Sequence, residues 1–267
     1  MSIRQYRPRN NRRRGISANQ SMGLYFLFAL AIGLQISYPL VSGDALRYVT
    51  ILFVIAGALL MLVHALLSYG FKYFAIFGIV TFIFSLLVEI LGSKTGWPFG
   101  TYSYADSLGF KVAGVPIIVP FAWIMMAHPV LIAARKTFPN WAFLYGGAGL
   151  MVWDLFLDPQ MVAAGRWTWE VTGRSFPYAP EIPLSNPFGW LLSGLTLMAI
   201  LNFILPTERR KDAPSTMVAD IYLAWSLVGG FIAQFFFFGR QGLAVVAFLI
   251  YGLILTPYFF TQWLNRN

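Results

Sequence analysis

Eight runs of about twenty predominantly apolar residues dominate the chain, near 22–41, 46–68, 73–92, 115–134, 141–163, 187–205, 218–238 and 242–264. Runs of that length match the hydrocarbon thickness of a bilayer, where a helix can satisfy all of its own backbone hydrogen bonds. The spacing therefore predicts an all-α, polytopic membrane bundle of about eight helices. Only 11% of the 267 residues are charged and 58% are hydrophobic, whereas a soluble domain carries about a quarter charged residues.

Lysine and arginine set the expected orientation. With a cytoplasmic N-terminus, 13 of the 19 basic residues fall in inner segments, Arg4 to Arg14, Lys72, Arg135, Lys136, Arg209 to Lys211 and Arg266 among them. The expectation is a multi-pass protein of the cell membrane with both termini cytoplasmic. Residues 1–21 read as a basic, disordered tail, and 22–267 as one transmembrane domain. The first span is long and lacks a small-residue cleavage site, so it reads as a retained anchor. The net charge of +9 is then an orientation signal and an attraction to anionic lipid, with no nucleic-acid partner expected. Cysteine is absent, which removes disulfides, thiolate nucleophiles and cysteine-bound metals.

Two connections are long, 93–114 and 165–186, and both fall on the outer side. Trp97, Phe99, Tyr102 and Tyr104 fill the first, and Trp167, Trp169, Phe176 and Tyr178 the second. Such aromatics suit an interfacial belt, but interleaved with Asp106, Lys111, Arg166, Glu170 and Arg174 they equally suit a lid over a pocket. A repeat favours the lid. Val115-Pro116-Ile117-Ile118-Val119-Pro120-Phe121-Ala122-Trp123 aligns with Ile182-Pro183-Leu184-Ser185-Asn186-Pro187-Phe188-Gly189-Trp190, and Glu89 and Asp158 each precede a glycine, Gly96 and Gly165, by seven residues. Segments 73–134 and 141–205 thus read as a parallel pseudo-repeat about the membrane normal.

The chemistry lies in Trp153-Asp154-Leu155-Phe156-Leu157-Asp158-Pro159. Two carboxylates at i and i+4 share a helix face with an axial separation of about 6 Å. Acids inside an apolar span are costly unless they face a protein interior, and there they mark function. The repeat places Glu89 opposite Asp158, with Asp154 one turn deeper. The plain structural alternatives are that Glu89 neutralises Lys94 and that Asp158-Pro159 ends its helix.

The two histidines, His64 and His128, are too few for a membrane di-iron site and read as packing residues. Gly146-Gly147-Ala148-Gly149 lies inside an apolar span, where it permits close helix packing and not phosphate binding. What remains is proton chemistry by carboxylates among aromatics.

Four segments carry a resemblance: Thr95-Gly96-Trp97-Pro98-Phe99-Gly100-Thr101-Tyr102, Gly114 to Trp123, Trp153 to Val162, and Ile182-Pro183-Leu184-Ser185-Asn186. Together they resemble the membrane carotenoid hydratase family, the carotenoid 1,2-hydratases and bisanhydrobacterioruberin hydratases. The likeness runs from about Glu89 to Leu192. It implies addition of water across the terminal double bond of an acyclic carotenoid, giving a tertiary alcohol, with a lipophilic substrate drawn from the bilayer and no redox cofactor or metal.

That reaction needs a protonated carboxyl to make a tertiary carbocation and a carboxylate to deprotonate the attacking water. Asp154, the deepest acid, is the expected donor, and Asp158 or Glu89 the expected base. Ser185 and Asn186 are expected to hold the water. Trp97, Tyr102, Tyr104, Trp153, Trp167 and Trp169 are the candidate substrate-binding aromatics, each ring face stabilising a cation by about 0.5–2 kcal/mol. Two other readings use the same acids: a prenyltransferase holding Mg²⁺ and diphosphate on Asp154 and Asp158, and a proton-coupled transporter.

Overall fold

The computed structural model describes residues 16–264, so residues 1–15 of the basic tail, with its arginines up to Arg14, lie outside the described residues, as does Arg266. Eight α-helices follow in order: α1 (Ala18–Ser37), α2 (Gly43–Tyr69), α3 (Phe71–Thr95), α4 (Ile118–Thr137), α5 (Ala142–Ala163), α6 (Ser185–Ile204), α7 (Met217–Ile232) and α8 (Gln241–Leu264). The protein is an all-α polytopic membrane bundle. Seven helices are long and apolar enough to cross a bilayer, α7 together with the π turn Ala233–Phe237 that extends it. The eighth is α5, 22 residues long and less apolar because it carries Asp154, Asp158 and Gln160.

Local signals place the ends. Ser17 and Gln20 form a capping box, so α1 starts at Ala18, inside the stretch read as tail. α3 continues to Thr95, past the expected end at 92, and stops where Gly96 takes the left-handed conformation (φ 76°). At the opposite end of the bundle Arg135 donates to Asn202 Oδ1 at 2.9 Å and to the carbonyls of Leu201, Asn202, Leu205 and Pro206, closing the C-terminus of α6.

The two long connections contain short strands: β1 (Tyr102–Tyr104), β2 (Lys111–Val112) and β3 (Val115–Pro116) in the first, β4 (Trp167–Trp169), β5 (Ser175–Phe176) and β6 (Ala179–Pro183) in the second. Each connection has the same order, one strand and then an antiparallel pair, β2–β3 or β5–β6, leading into a helix. β1 and β4 pair antiparallel across the repeat, with Ser103 opposite Thr168 at the centre, Tyr102 opposite Trp169 and Tyr104 opposite Trp167. Equivalent strands that pair antiparallel through a common central residue pair are related by a two-fold axis. Below them Trp123 and Trp190, which end the two aligned motifs, stack with centroids 4.4 Å apart and planes 10° from parallel. The halves 73–134 and 141–205 are thus related as the parallel repeat predicts.

Within the second half the helices touch through glycine. A Cβ on Gly194 would lie 2.9 Å from the carbonyl oxygen of Gly147, and one on Gly147 would lie 2.7 Å from Leu195 N. This close approach of α5 and α6 is the small-residue packing that membrane helices use in place of hydrophobic burial. It also brings Asn186 to the two aspartates. Pro159 does not break α5; nearby, Gln234 of the π turn donates to the Phe156 carbonyl at 3.0 Å.

Candidate active site

Glu89 from α3, Asp154 and Asp158 from α5 and Asn186 from α6 are all buried at the lid end of the bundle. Glu89 Oε2 accepts from the Tyr102 hydroxyl at 2.6 Å and the Tyr104 hydroxyl at 2.7 Å, and Oε1 accepts from Trp123 Nε1 at 3.2 Å. Asp158 Oδ1 accepts from Trp167 Nε1 at 3.2 Å, and Oδ2 accepts from Asn186 Nδ2. The same Nδ2 donates to Asp154 Oδ2 at 3.1 Å, while Asp154 Oδ1 and Asn186 Oδ1 have no hydrogen-bond partner among the described residues. One amide group therefore spans both aspartates, and every protein group that meets Glu89 is a donor.

The two-fold is visible in this chemistry. Tyr102 reaches Glu89 as its counterpart Trp167 reaches Asp158, each from the lid strand of its own half. Strand alternation aims these side chains inward: Ser103 and Thr168 between them are exposed. Burial, with the Glu89 carboxylate beside them, holds both lid phenols above their usual range, so Tyr102 and Tyr104 stay protonated donors. The lid is tied at its edges by Lys111, which bonds Asp106 at 2.6 Å and the Tyr104 carbonyl at 2.8 Å, and by the Arg240–Glu181 pair.

Under the lid is a small cavity of about 50 Å³ walled by Glu89, Asp158, Asn186, Tyr102, Tyr104, Trp167 and Trp169, with Trp123, Trp190 and Phe99 below and Thr50, Phe53 and Val54 of α2 at the side. Seven of the expected site residues thus converge. Four do not line this space. Asp154 sits behind Asn186, because its rotation about the axis of α5 turns it toward α6. Trp97 is 58% exposed on the outer face of the lid. Ser185 Oγ donates to the Phe99 carbonyl at 3.2 Å and anchors the first lid segment. Trp153 packs edge-on against Trp190 with centroids 5.9 Å apart and faces a neighbouring chamber. Trp123 and Trp190 were not among the expected site residues, although the repeat motif that ends in each of them marks their position. His64 and His128 form a buried pair, Nδ1 to Nε2 at 3.0 Å, whose donor and acceptor depend on the tautomer.

The fold and site define a class: a polytopic membrane bundle whose two related halves close a carboxylate-bearing aromatic cavity beneath a paired lid. The carotenoid biosynthesis protein family matches over residues 49–254, from α2 into α8, and the chain belongs to that family. It is 29% identical over 174 residues to a bisanhydrobacterioruberin hydratase of Haloarcula japonica, a stretch covering 60% of this chain. The chain spans 58% of the length of that relative. No solved structure matches the chain.

Proposed function

We propose that the protein is a carotenoid hydratase that adds water across the terminal trisubstituted double bond of an acyclic carotenoid. The observation that carries this reading is the pair of carboxyl groups, Glu89 and Asp158, facing one aromatic cavity from equivalent places in the two halves. The hydratase named for the Haloarcula relative supports the reaction class.

In this reading Asp158, protonated, gives its proton to the less substituted alkene carbon, and a tertiary cation forms at the other. Asp154 stands behind as its partner, held in register by the bridging Asn186 amide. The faces of Trp123, Trp190 and the lid aromatics, and the Glu89 carboxylate, stabilise the positive charge in a site with little water to screen it. Water attacks the cation, its spare proton goes to Glu89, and between turnovers exchange with solvent removes that proton from Glu89 and returns one to Asp158. No electron is gained or lost. The lid faces outward and both ends of the chain face the cytoplasm, as the basic residues direct.

Expression in a host that supplies lycopene tests the reading, with products separated chromatographically and weighed. A gain of one or two waters is the expected result, and it should persist in detergent extract containing excess chelator. Activity that stops with magnesium removal would point to prenyl transfer instead, and no product in extract would point to transport. Replacing Tyr102 with Phe removes one of three donors to Glu89 and should slow turnover about tenfold, with membrane protein level unchanged. The measurement is initial rate per milligram of purified protein.

A further inference from the structure

Beside the acid cavity lies a second, larger chamber of about 260 Å³, walled by α1, the turn after it, α2, α4, α5 and α7. Phe53 and Leu157 belong to the walls of both spaces, and Leu157 is the chain neighbour of Asp158. The partition between the chambers includes these two side chains. The far rim is formed by Ile36 and Leu40 on one side and Ile232 and Phe237 on the other, exposed by 49%, 65%, 38% and 48%. Exposed apolar side chains on a membrane helix face hydrocarbon, so this mouth opens to lipid. Gly229 and Gly230 of α7 line the chamber without side chains.

Several polar groups of the chamber are satisfied within the protein. Gln35 Nε2 donates to the Tyr222 hydroxyl at 2.8 Å, and Ser226 pairs with Tyr251 at 2.6 Å. What faces the empty space is predominantly apolar and aromatic, with Trp153 and Trp225 among it. The acid cavity is small, so the bulk of a long, rigid polyene needs a continuous apolar path ending at the carboxyls.

We propose that the second chamber binds the linear polyene arm of the substrate, which slides in from lipid between α1 and α7 and passes Phe53 and Leu157 to reach Glu89 and Asp158. The inference rests on the hydratase reading and assigns that site its substrate channel.

The cysteine-free chain provides a clean test. Ile36→Cys puts one thiol at the mouth, and Leu253→Cys, 74% exposed on α8, serves as the control. Both variants are reconstituted in phosphatidylcholine vesicles, and each one's own rate of lycopene hydration before labelling is its reference. A bulky maleimide on Ile36→Cys should then cut lycopene conversion about tenfold, a small methylthio label should not, and neither label should matter on Leu253→Cys. Lycopene in the vesicles should also slow maleimide labelling of Ile36→Cys several-fold and leave Leu253→Cys unaffected. Unchanged conversion by the bulky-labelled Ile36→Cys protein, or labelling indifferent to lycopene, would overturn the proposal and leave the chamber to lipid acyl chains. The labelling rate needs no turnover, so it judges the chamber separately; failure of unlabelled wild-type protein to hydrate lycopene would overturn the reading of the reaction instead.

Discussion

Asp158→Asn lowers the yield of hydrated carotenoid by about 10³-fold or more while the protein still accumulates in the membrane, within the range lost when a positioned acid is removed. The substitution preserves shape and removes the transferable proton. It also disturbs one contact: Trp167 and Asn186 donate to different oxygens of Asp158, and an amide offers only one oxygen. Asn186 can turn its amide over to meet the new N–H only by giving up its bond to Asp154 Oδ2, a local cost of about 1–3 kcal/mol. Glu89→Gln should lose a similar factor, with its carbonyl kept toward Tyr102 and Tyr104. Asp154→Asn should lose less, about 10–100-fold, because Asp154 does not line the cavity and reaches it through Asp158 and Asn186. The ranking decides between the acids. Carotenoid profiles normalised to protein level would return the donor role to Asp154 if its variant proves the most damaged.

Gly194→Val is expected to deplete the protein from the membrane. The new side chain starts 2.9 Å from the Gly147 carbonyl oxygen and 3.1 Å from its Cα, and neither is the end of a flexible side chain. Only separation of α5 from α6 relieves the contact. Overpacking of this kind costs about 1–3 kcal/mol in soluble cores, and here it also removes the close approach that holds the helices together in lipid. The same movement draws Asn186 away from Asp154 and Asp158, so the surviving fraction should also be inactive. Gly252→Val on α8 meets nothing within 4 Å and is the matched control. Thermal unfolding of the purified proteins in detergent should fall by several degrees for the first and stay within error for the second. Equal unfolding temperatures would show that the crossing tolerates the extra bulk.

Helices were legible in the chain because a membrane span is written as composition over twenty residues, and the eight runs match the eight helices to within a few positions. The repeat carried more, since two copies of a Pro-x-x-x-Pro-Phe-x-Trp pattern foretold the equivalence of Glu89 and Asp158. Rotation about a helix axis was not legible. Residues i and i+4 share a face, yet that face is broad enough for Asp158 to meet the cavity and Asp154 to meet Asn186. Strand alternation explains the tryptophans: Trp167 is the second residue after Gly165 and points inward, whereas Trp97 directly follows Gly96 and stays outside the paired strand. Three-residue strands that pair across about 65 positions leave no periodicity to read. The second chamber is built by helices far apart in the chain, and no local pattern encodes it.

The pairing of β1 with β4 has a consequence for how the protein is made. A ribosome delivering this chain releases Tyr102 to Tyr104 long before Trp167 to Trp169, so the first half of the roof waits over Glu89 with its strand edge open. Trp190 arrives later still to complete the stack with Trp123. The lidded cavity is therefore closed only once the sixth helix has begun to emerge, and a nascent chain halted earlier carries Glu89 under half a roof.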